Sequence, residues 1–381
     1  MRQLEDWLVT YLDFTKEQEA PEPFHLWSGV SVLASTIGRN VWINRGFYEL
    51  FPNHYIFIVA PSSLARKSVA VGIARDILEK SKTAEVMAER ITNPMLLTEL
   101  HRAAQKTGRS EMLCWADELA LFMSKEETHK GIITTLTRLY GCPKFLENKL
   151  KTVPCDCLKD VCLNILAATT PTDIAELIPS SAIGKGFIPR VHTIYQPTAR
   201  HKKLTPFRDL VLEAKLVADL QHIKKIQGPF AMTEEDTVWL EDWYKKQEKP
   251  PEESLDGFYG RKHDFVFKLS MILTLARQDE LVLRRPIMET AIKFLGGIED
   301  GMLCAYKEIG RQPNTDHVDR VIRQIERIGG KMSKSEVLRA NWNKFNATEW
   351  AGISFHLQEA GLIDVIPGRP VVYVLKKGGK K

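Results

Sequence analysis

The feature that most constrains the fold is a strand, a short loop and a helix that follow one another within residues 53–78. Residues 55–59 (YIFIV) form a short apolar run, typical of a strand buried on both faces of a parallel sheet. Residues 69–78 carry apolar side chains at helical spacing. A helix that starts directly after such a loop offers free N–H groups and a positive dipole end to a phosphate. The sequence therefore predicts a nucleotide-phosphate cradle in the loop. Its residues are Pro61, Ser62, Ser63, Leu64, Ala65, Arg66, Lys67 and Ser68.

The loop departs from the usual phosphate-binding pattern G-x-x-x-x-G-K-[ST], because Pro61 and Arg66 stand at the two glycine positions. In that pattern the lysine reaches the terminal phosphates and the hydroxyl binds Mg²⁺, the roles predicted here for Lys67 and Ser68. A side chain before the lysine limits how closely the backbone approaches phosphate. Arg66 therefore either points outward or adds a positive charge beside the nucleotide. The alternative is a strand–loop–helix with a basic helix start.

A second apolar strand, within residues 112–121, ends in Asp117-Glu118, fifty residues after Lys67. At the end of a strand the aspartate can hold Mg²⁺ through water, while the next carboxylate polarises the attacking water. We therefore predict that Asp117 binds the metal and that Glu118 is the catalytic base. An Asp-Glu pair after a strand is also common at a solvated helix start, which is the alternative.

A third strand, residues 161–168, is followed by Thr169-Thr170, and Arg190 lies in the later segment 184–195. In RecA-like and related ring ATPases, a polar residue after this strand contacts the attacking water or the γ-phosphate. A later arginine completes a neighbouring subunit's site, where its charge can raise the rate by about 10³–10⁵. Thr170 or Thr169 and Arg190 are the candidates. The alternatives are a helix-capping threonine and a solvated arginine.

The chain as a whole resembles a phage and mobile-element family of RecA-like P-loop ATPases, often found as primase–helicase proteins or beside replication genes. The segments that carry the resemblance are residues 24–39, 40–52, 61–68, 117–118, 186–190 and 261–276. Some members also carry arginine immediately before the Lys-Ser pair. The resemblance implies an α/β fold with a RecA-like P-loop NTPase core, with ATP and Mg²⁺ as cofactors. It also implies self-association into a ring, expected to be a hexamer.

Composition indicates a protein of more than one core, since the chain has 381 residues, of which 44% are hydrophobic and 27% charged. No apolar run reaches about 18 residues and the N-terminus lacks a signal-peptide core. We therefore expect a cytoplasmic protein with no membrane partner, and the resemblance implies a bacterial or phage-infected host cell. Cys155, Cys157 and Cys162 lack the paired spacing of a zinc site and are expected to be free thiols.

Positive charge is concentrated in residues 311–381, which hold 13 Lys and Arg against 7 Asp and Glu. Three helices, the last capped by Asn346, precede two strands joined by Pro-Gly-Arg-Pro, a pattern that predicts a winged helix. A winged helix commonly binds DNA with its third helix and its wing, but it also serves as a protein-docking module. The candidate DNA-binding residues are Lys344, Thr348, Arg369, Lys376 and Lys377.

We predict four domains. They are an N-terminal helical collar at residues 1–50, a RecA-like P-loop ATPase core at 51–205, a helical extension packing on the core at 206–310, and a winged helix at 311–381. Arg261 and Lys262, before an apolar helix in the extension, are either a second basic sensor of nucleotide or a solvated turn.

These patterns together predict an ATP-dependent DNA helicase or translocase acting in phage or mobile-element replication. ATP would be hydrolysed at the subunit interfaces of a ring bound to single-stranded or forked DNA, with a primase or polymerase as a further partner. The alternative is a DNA-binding replication initiator or helicase loader whose degenerate loop binds nucleotide without efficient turnover.

Overall fold

The chain forms two compact units, Met1–Ile309 and Gly310–Lys381. The computed structural model describes residues 2–87, 91–123, 131–148, 156–178, 186–310, 315–342 and 344–376. The boundaries predicted after residues 50 and 205 lie inside the first unit, and the division into four domains stays a prediction.

The helices that begin in the first unit are α1 (Trp7–Phe14), α2 (Glu22–Ile37), α3 (Lys67–Ser81), α4 (Asn93–Thr107), α5 (Leu119–Phe122), α6 (Ile132–Leu139), α7 (Pro171–Leu177), α8 (Leu210–Ile223), α9 (Glu234–Lys245), α10 (Asp256–Tyr259), α11 (Lys262–Arg277) and α12 (Arg285–Gly310). Its strands are β1 (Val41–Asn44), β2 (Glu49–Leu50), β3 (Tyr55–Val59), β4 (Val86–Met87), β5 (Glu111–Ala116), β6 (Phe145–Asn148), β7 (Asp156–Lys159), β8 (Cys162–Thr169), β9 (Val191–Tyr195), β10 (Gly228–Met232) and β11 (Val282–Leu283).

Five strands form a parallel sheet in the order β4–β5–β8–β3–β9. Every residue of β3 and β8 is buried, as expected of strands covered on both faces. The predicted mixed α/β fold with a parallel sheet is confirmed. Because the strands run in one direction, the residues that follow β3, β5 and β8 emerge at the same edge of the sheet.

Helix α2 explains why the first fifty residues belong to the same unit as the sheet. Thirteen of its sixteen residues are buried, and it packs against α1, α3 and the strands β3 and β8. One hydrophobic core extends from Leu4 to Tyr306 through this helix and the sheet. The N-terminal segment therefore supports the sheet directly.

A second sheet, in the order β11–β10–β1–β2, joins segments that are far apart in sequence. β1 pairs antiparallel with β2 as a hairpin and parallel with β10. Strand β10 reads GPFAM, which has neither alternation nor β-branched residues, and it falls in a region expected to be helical. Its pairing with β1 and β11 makes it a strand, which is tertiary context overriding a weak local pattern.

The second unit contains the helices α13 (Thr315–Arg327), α14 (Lys334–Ala340) and α15 (Ala347–Glu359) and the strands β12 (Lys331–Ser333), β13 (Ile363–Ile366) and β14 (Val372–Leu375). The strands form an antiparallel sheet in the order β12–β14–β13. Ser333 and Asn346 cap α14 and α15 through capping boxes with Glu336 and Glu349. Trp350 lies at the centre of a separate core and donates its indole N–H to the hydroxyl of Tyr373 at 2.9 Å.

Across the described ranges, no helix is long and apolar enough to span a membrane.

Candidate functional site

A cleft of about 380 Å³ opens at the edge of the parallel sheet where β3, β5 and β8 end. Its residues are Ser62, Ser63, Arg66, Lys67, Ser68, Val69, Asp117, Glu118, Ala168, Thr169, Thr170 and Asp173. Three segments separated by about fifty residues each thus meet at one place. The register that pairs Val59 with Thr169 sets this convergence, since it ends β3 and β8 at the same level.

The loop between β3 and α3 adopts left-handed backbone at two residues that are not glycine, Ser63 (φ 62°) and Arg66 (φ 51°). Such a conformation costs a non-glycine residue about 1–3 kcal/mol, and it is the reason that glycine is preferred at the position of Arg66. The guanidinium of Arg66 pairs with Glu19, Nε to Oε2 at 2.6 Å, and this contact lowers the pKa of Glu19. Arg66 therefore has a carboxylate partner although it borders the cleft.

Lys67 starts α3, and its ammonium donates to the carbonyls of Ala60 at 2.7 Å and Pro61 at 3.2 Å. Burial lowers the pKa of Lys67, and the negative charges of Asp173 and Glu118 act in the opposite direction. The N-terminus of α3 has no side-chain cap, so its first N–H groups adjoin the cleft beside the ammonium. Together they give this wall of the cleft a positive electrostatic potential.

Asp117 and Glu118 follow β5 on the opposite wall, and Glu118 is exposed just before the short helix α5. Trp115 fixes the end of β5 against α3, because its indole N–H donates to the carbonyl of Val71 at 2.9 Å. The guanidinium of Arg75 stacks over the same indole at 4.5 Å. These contacts hold the strand that carries the two carboxylates against the helix that carries Lys67.

Thr169 ends β8, and Thr170, which follows it, caps the helix α7. The hydroxyl oxygen of Thr170 accepts the N–H of Asp173 at 3.1 Å, and a carboxylate oxygen of Asp173 accepts the N–H of Thr170 at 3.3 Å. The capping role named as an alternative is therefore present. Since the oxygen accepts, the hydroxyl hydrogen of Thr170 can still be donated to a ligand in the cleft.

Asp173 is the cleft residue that the sequence analysis missed. The signal was the run Thr170-Pro171-Thr172-Asp173, a helix start with an acidic residue at the third position. That pattern predicts a cap, but it does not indicate that the capping carboxylate borders the cleft and interacts with Lys67.

Arg190 is not brought together with the other candidate residues. It precedes β9, and Val191 pairs with Tyr55 at the beginning of β3, so Arg190 lies at the amino edge of the sheet. The cleft begins beyond Val59, which lies four residues after Tyr55 along β3, a distance of about 13 Å at the rise per residue of a strand. The guanidinium lies 5.8 Å from the ring centre of Tyr140 and donates to the carbonyl of Gly186. Burial and the nearby charge of Arg261 lower its pKa.

The DNA-binding candidates of the second unit are solvent-exposed where the structure describes them. Lys344 precedes the third helix of that unit, Thr348 lies in its first turn and Arg369 lies between the last two strands. Lys376 pairs with Asp364 at 3.1 Å. Lys377 lies outside the described residues.

Two large apolar side chains, Trp342 and Phe355, are also exposed on this unit (80% and 65%). Exposed apolar side chains suit a protein-docking surface as well as a DNA-binding one.

Four of the cysteines that the structure describes, Cys114, Cys142, Cys162 and Cys304, are free. Cys155 lies outside the described residues. Within the described ranges, no group of three or more His, Cys, Asp or Glu side chains could hold a metal ion by itself.

Comparison with models of known protein families finds no match, and neither does comparison with curated protein sequences.

Proposed function

We propose that this chain is an ATP-dependent DNA helicase or translocase acting in DNA replication, with a RecA-like P-loop core and a C-terminal winged helix. The observation that carries this proposal is the convergence of Lys67, Ser68, Asp117, Glu118 and Thr170 on one cleft. One wall of the cleft carries a loop after a strand, a lysine and an uncapped helix start, and the other wall carries two carboxylates. This arrangement suits a nucleoside triphosphate with its metal ion.

The charges of the cleft suit a complex of ATP with Mg²⁺ better than a free phosphate. Asp117, Glu118 and Asp173 contribute three carboxylates against the cations Arg66 and Lys67. A bound Mg²⁺ would supply positive charge that offsets the negative charge of the phosphates and of these carboxylates. The hydroxyl of Ser68 and the carboxylate of Asp117 would hold the metal.

The remaining roles follow from where each side chain lies. Lys67 would exchange its two carbonyl partners for phosphate oxygens, an exchange assisted by the adjoining helix start. Glu118, exposed in the cleft, would accept the proton of the attacking water. Thr170 would donate its hydroxyl hydrogen to that water or to the phosphate, while its oxygen keeps the cap of α7.

A catalytic role for Arg190 would require a ring rather than a monomeric enzyme. Its position at the amino edge of the sheet keeps it away from its own cleft, so a catalytic role requires the cleft of another subunit. A self-associated ring, in which one subunit's amino edge meets the next subunit's cleft, would meet this requirement.

The second unit supports DNA as the partner. Three helices, a three-stranded antiparallel sheet and exposed Lys344 and Arg369 fit a winged helix that contacts phosphates with its wing. A separate primase or polymerase would supply synthesis. We place the protein in the cytoplasm of a bacterial or phage-infected cell, where its DNA substrate is found.

A second candidate function is favoured by the loop itself. Arg66 holds a strained backbone where glycine would let phosphate approach, and Lys67 is bound to its own loop carbonyls. A replication initiator or helicase loader that binds nucleotide without efficient turnover would tolerate both features.

Steady-state ATP hydrolysis with and without single-stranded DNA separates these functions. A helicase or translocase should hydrolyse ATP, be stimulated by DNA and lose about 10² or more of its rate in Glu118→Gln. The matched control is Glu235→Gln, which alters an exposed glutamate on α9 and should leave the rate unchanged. ATP binding without DNA-stimulated turnover would instead identify the initiator or loader.

A further inference from the structure

A cavity of about 650 Å³ lies outside the nucleotide cleft, between strands β1 and β10 and helices α9 and α11. Apolar side chains such as Phe267 form its inner wall, while Arg45, Tyr244, Lys245 and His263 stand around it. A volume of this size accommodates a ligand much larger than a water molecule. None of these side chains takes part in the nucleotide cleft.

Two cations, Arg45 and Lys245, line this cavity together with one carboxylate, Glu241. The guanidinium of Arg45 stacks over the ring of Phe267 at 4.3 Å, and within the described ranges no carboxylate forms an ion pair with it. Lys245 lies 3.8 Å from Glu241, but both side chains are largely exposed, so this pair contributes little and leaves the ammonium accessible. Burial lowers the pKa of His263, and the charges of Arg45 and Arg261 add to that effect while Asp264 opposes it.

Aromatic rings extend the same surface onto the neighbouring hairpin. Phe47 is fully exposed at the tip of the β1–β2 turn, and Tyr48 beside it is about half exposed (47%). The turn is well defined, since the N–H of Arg45 donates to the carbonyl of Tyr48 at 2.8 Å and Gly46 adopts a φ of 78°. A structured turn thus holds a phenyl ring in water, where it gains nothing from burial.

On the cavity side, Tyr244 offers a second aromatic face. It is half exposed (50%), and its ring centre lies 4.6 Å from that of His263. The two nearby carboxylates have partners of their own. Glu241 faces Lys245, and Asp264 accepts the hydroxyl of Tyr48 at 3.5 Å and lies 3.3 Å from His263. The groups left available are therefore aromatic faces and cations.

We propose that this hairpin surface, formed by Arg45, Phe47, Tyr48, Tyr244, Lys245 and His263, binds single-stranded nucleic acid. Bases would stack on the exposed rings, and phosphates would pair with Arg45 and Lys245. Interleaved aromatic and cationic side chains are how proteins bind single strands without reading their sequence. A free nucleotide would fill the cavity but would leave Phe47 at the hairpin tip uncovered. The inference rests on the proposed function, since a translocase needs a site for its strand in the ATPase unit.

The test is fluorescence anisotropy of a labelled oligothymidylate of about 16 nucleotides, titrated with the full chain at several salt concentrations. Phe47→Ala should weaken binding at least about fivefold with an unchanged salt slope, because it removes one stacked base. Arg45→Ala should weaken binding and reduce the slope of log affinity against log salt by about 0.7, because it removes one phosphate contact. Phe207→Ala, at an exposed phenyl outside this surface, is the matched control and should bind as the parent does.

Three results would overturn the inference. The first is that Phe47→Ala and Arg45→Ala both bind the oligonucleotide with the affinity of the parent. The second is that the parent does not bind the oligonucleotide. The third is that thymidine monophosphate fully displaces the oligonucleotide from the parent, which would indicate a site for free nucleotide. ATP binding measured on the same proteins keeps the proposed function separate. Both substitutions lie outside the cleft, so both variants should bind ATP as the parent does. Failure of the parent to bind ATP would refute the proposed function and would leave the oligonucleotide result to be judged by itself.

Discussion

Replacing Arg66 with glycine and, separately, with alanine should separate the two interactions that meet at this residue. Both changes remove the ion pair with Glu19. Only glycine also relieves the left-handed backbone, whose φ is 51°. The difference in stability between the two variants therefore measures the backbone strain less the extra conformational entropy that glycine loses on folding.

The size of that difference follows from the conformation. Left-handed backbone costs alanine about 1–2 kcal/mol, while glycine loses about 0.5–1 kcal/mol more conformational entropy on folding. The midpoints of these two ranges differ by about 0.75 kcal/mol, so we expect Arg66→Gly to be more stable than Arg66→Ala by about that amount. The ion pair is partly exposed and contributes little, so the stability of Arg66→Gly should lie close to that of the parent.

Calorimetry is the assay, and the expected gap in melting temperature is about 1 °C, because 1 kcal/mol shifts the melting temperature by about 1.5 °C in a unit that spans Met1–Ile309. Equal melting temperatures for the two variants would contradict a left-handed Arg66. ATP affinity adds a second comparison. If the side chain at this position limits the approach of phosphate, Arg66→Gly should bind ATP more tightly than Arg66→Ala.

Three further predictions concern the core, the subunit interface and the second unit. His192 is buried with no hydrogen-bond partner for either ring nitrogen in the described part of the chain, and its ring lies 5.0 Å from that of Trp27. Burial holds the pKa of His192 well below the usual 6.5, so its contribution to stability is complete above pH 6.5 and is lost as the pH falls towards the folded pKa. His192→Phe should stabilise the fold by about 1–3 kcal/mol and make its stability less dependent on acid pH, as measured by urea unfolding. Equal sensitivity of the variant and the parent to acid would refute this assignment. Mixing Arg190→Ala with Glu118→Gln should restore part of the ATPase activity if Arg190 acts in trans, whereas no recovery in confirmed mixed rings would count against it unless the sites fire strictly in sequence. Lys344→Ala and Arg369→Ala should each lower the salt slope of duplex DNA binding by about 0.9, and unchanged slopes would leave the second unit as a protein-docking module.

The parallel sheet was predictable because its inner strands are read directly from the sequence. Tyr55–Val59 and Cys162–Thr169 are apolar runs too short for helices and buried on both faces. The order of the strands and the second sheet were not predictable. β10 reads Gly228–Met232 without a strand pattern, and its pairing with β1 depends on contacts almost 190 residues apart.

The cleft was predictable in outline and not in detail. Lys67 and Asp117 follow strands whose common direction brings them to one edge, so order along the chain was sufficient. Asp173 was missed because a capping carboxylate and a cleft carboxylate look the same in sequence. The location of Arg190 depends on the register of β9 against β3, which sequence order does not determine.

ATP affinity of Lys67→Ala, measured by calorimetric titration in the presence of Mg²⁺, tests the account most directly. Lys67 is the only lysine that lines the described cleft, and alanine at this position keeps the helix. Lys215→Ala, which alters an exposed lysine on α8, is the matched control. ATP binding should disappear in Lys67→Ala and persist in Lys215→Ala, with unchanged unfolding transitions in both. Parental ATP affinity in a folded Lys67→Ala protein would contradict it.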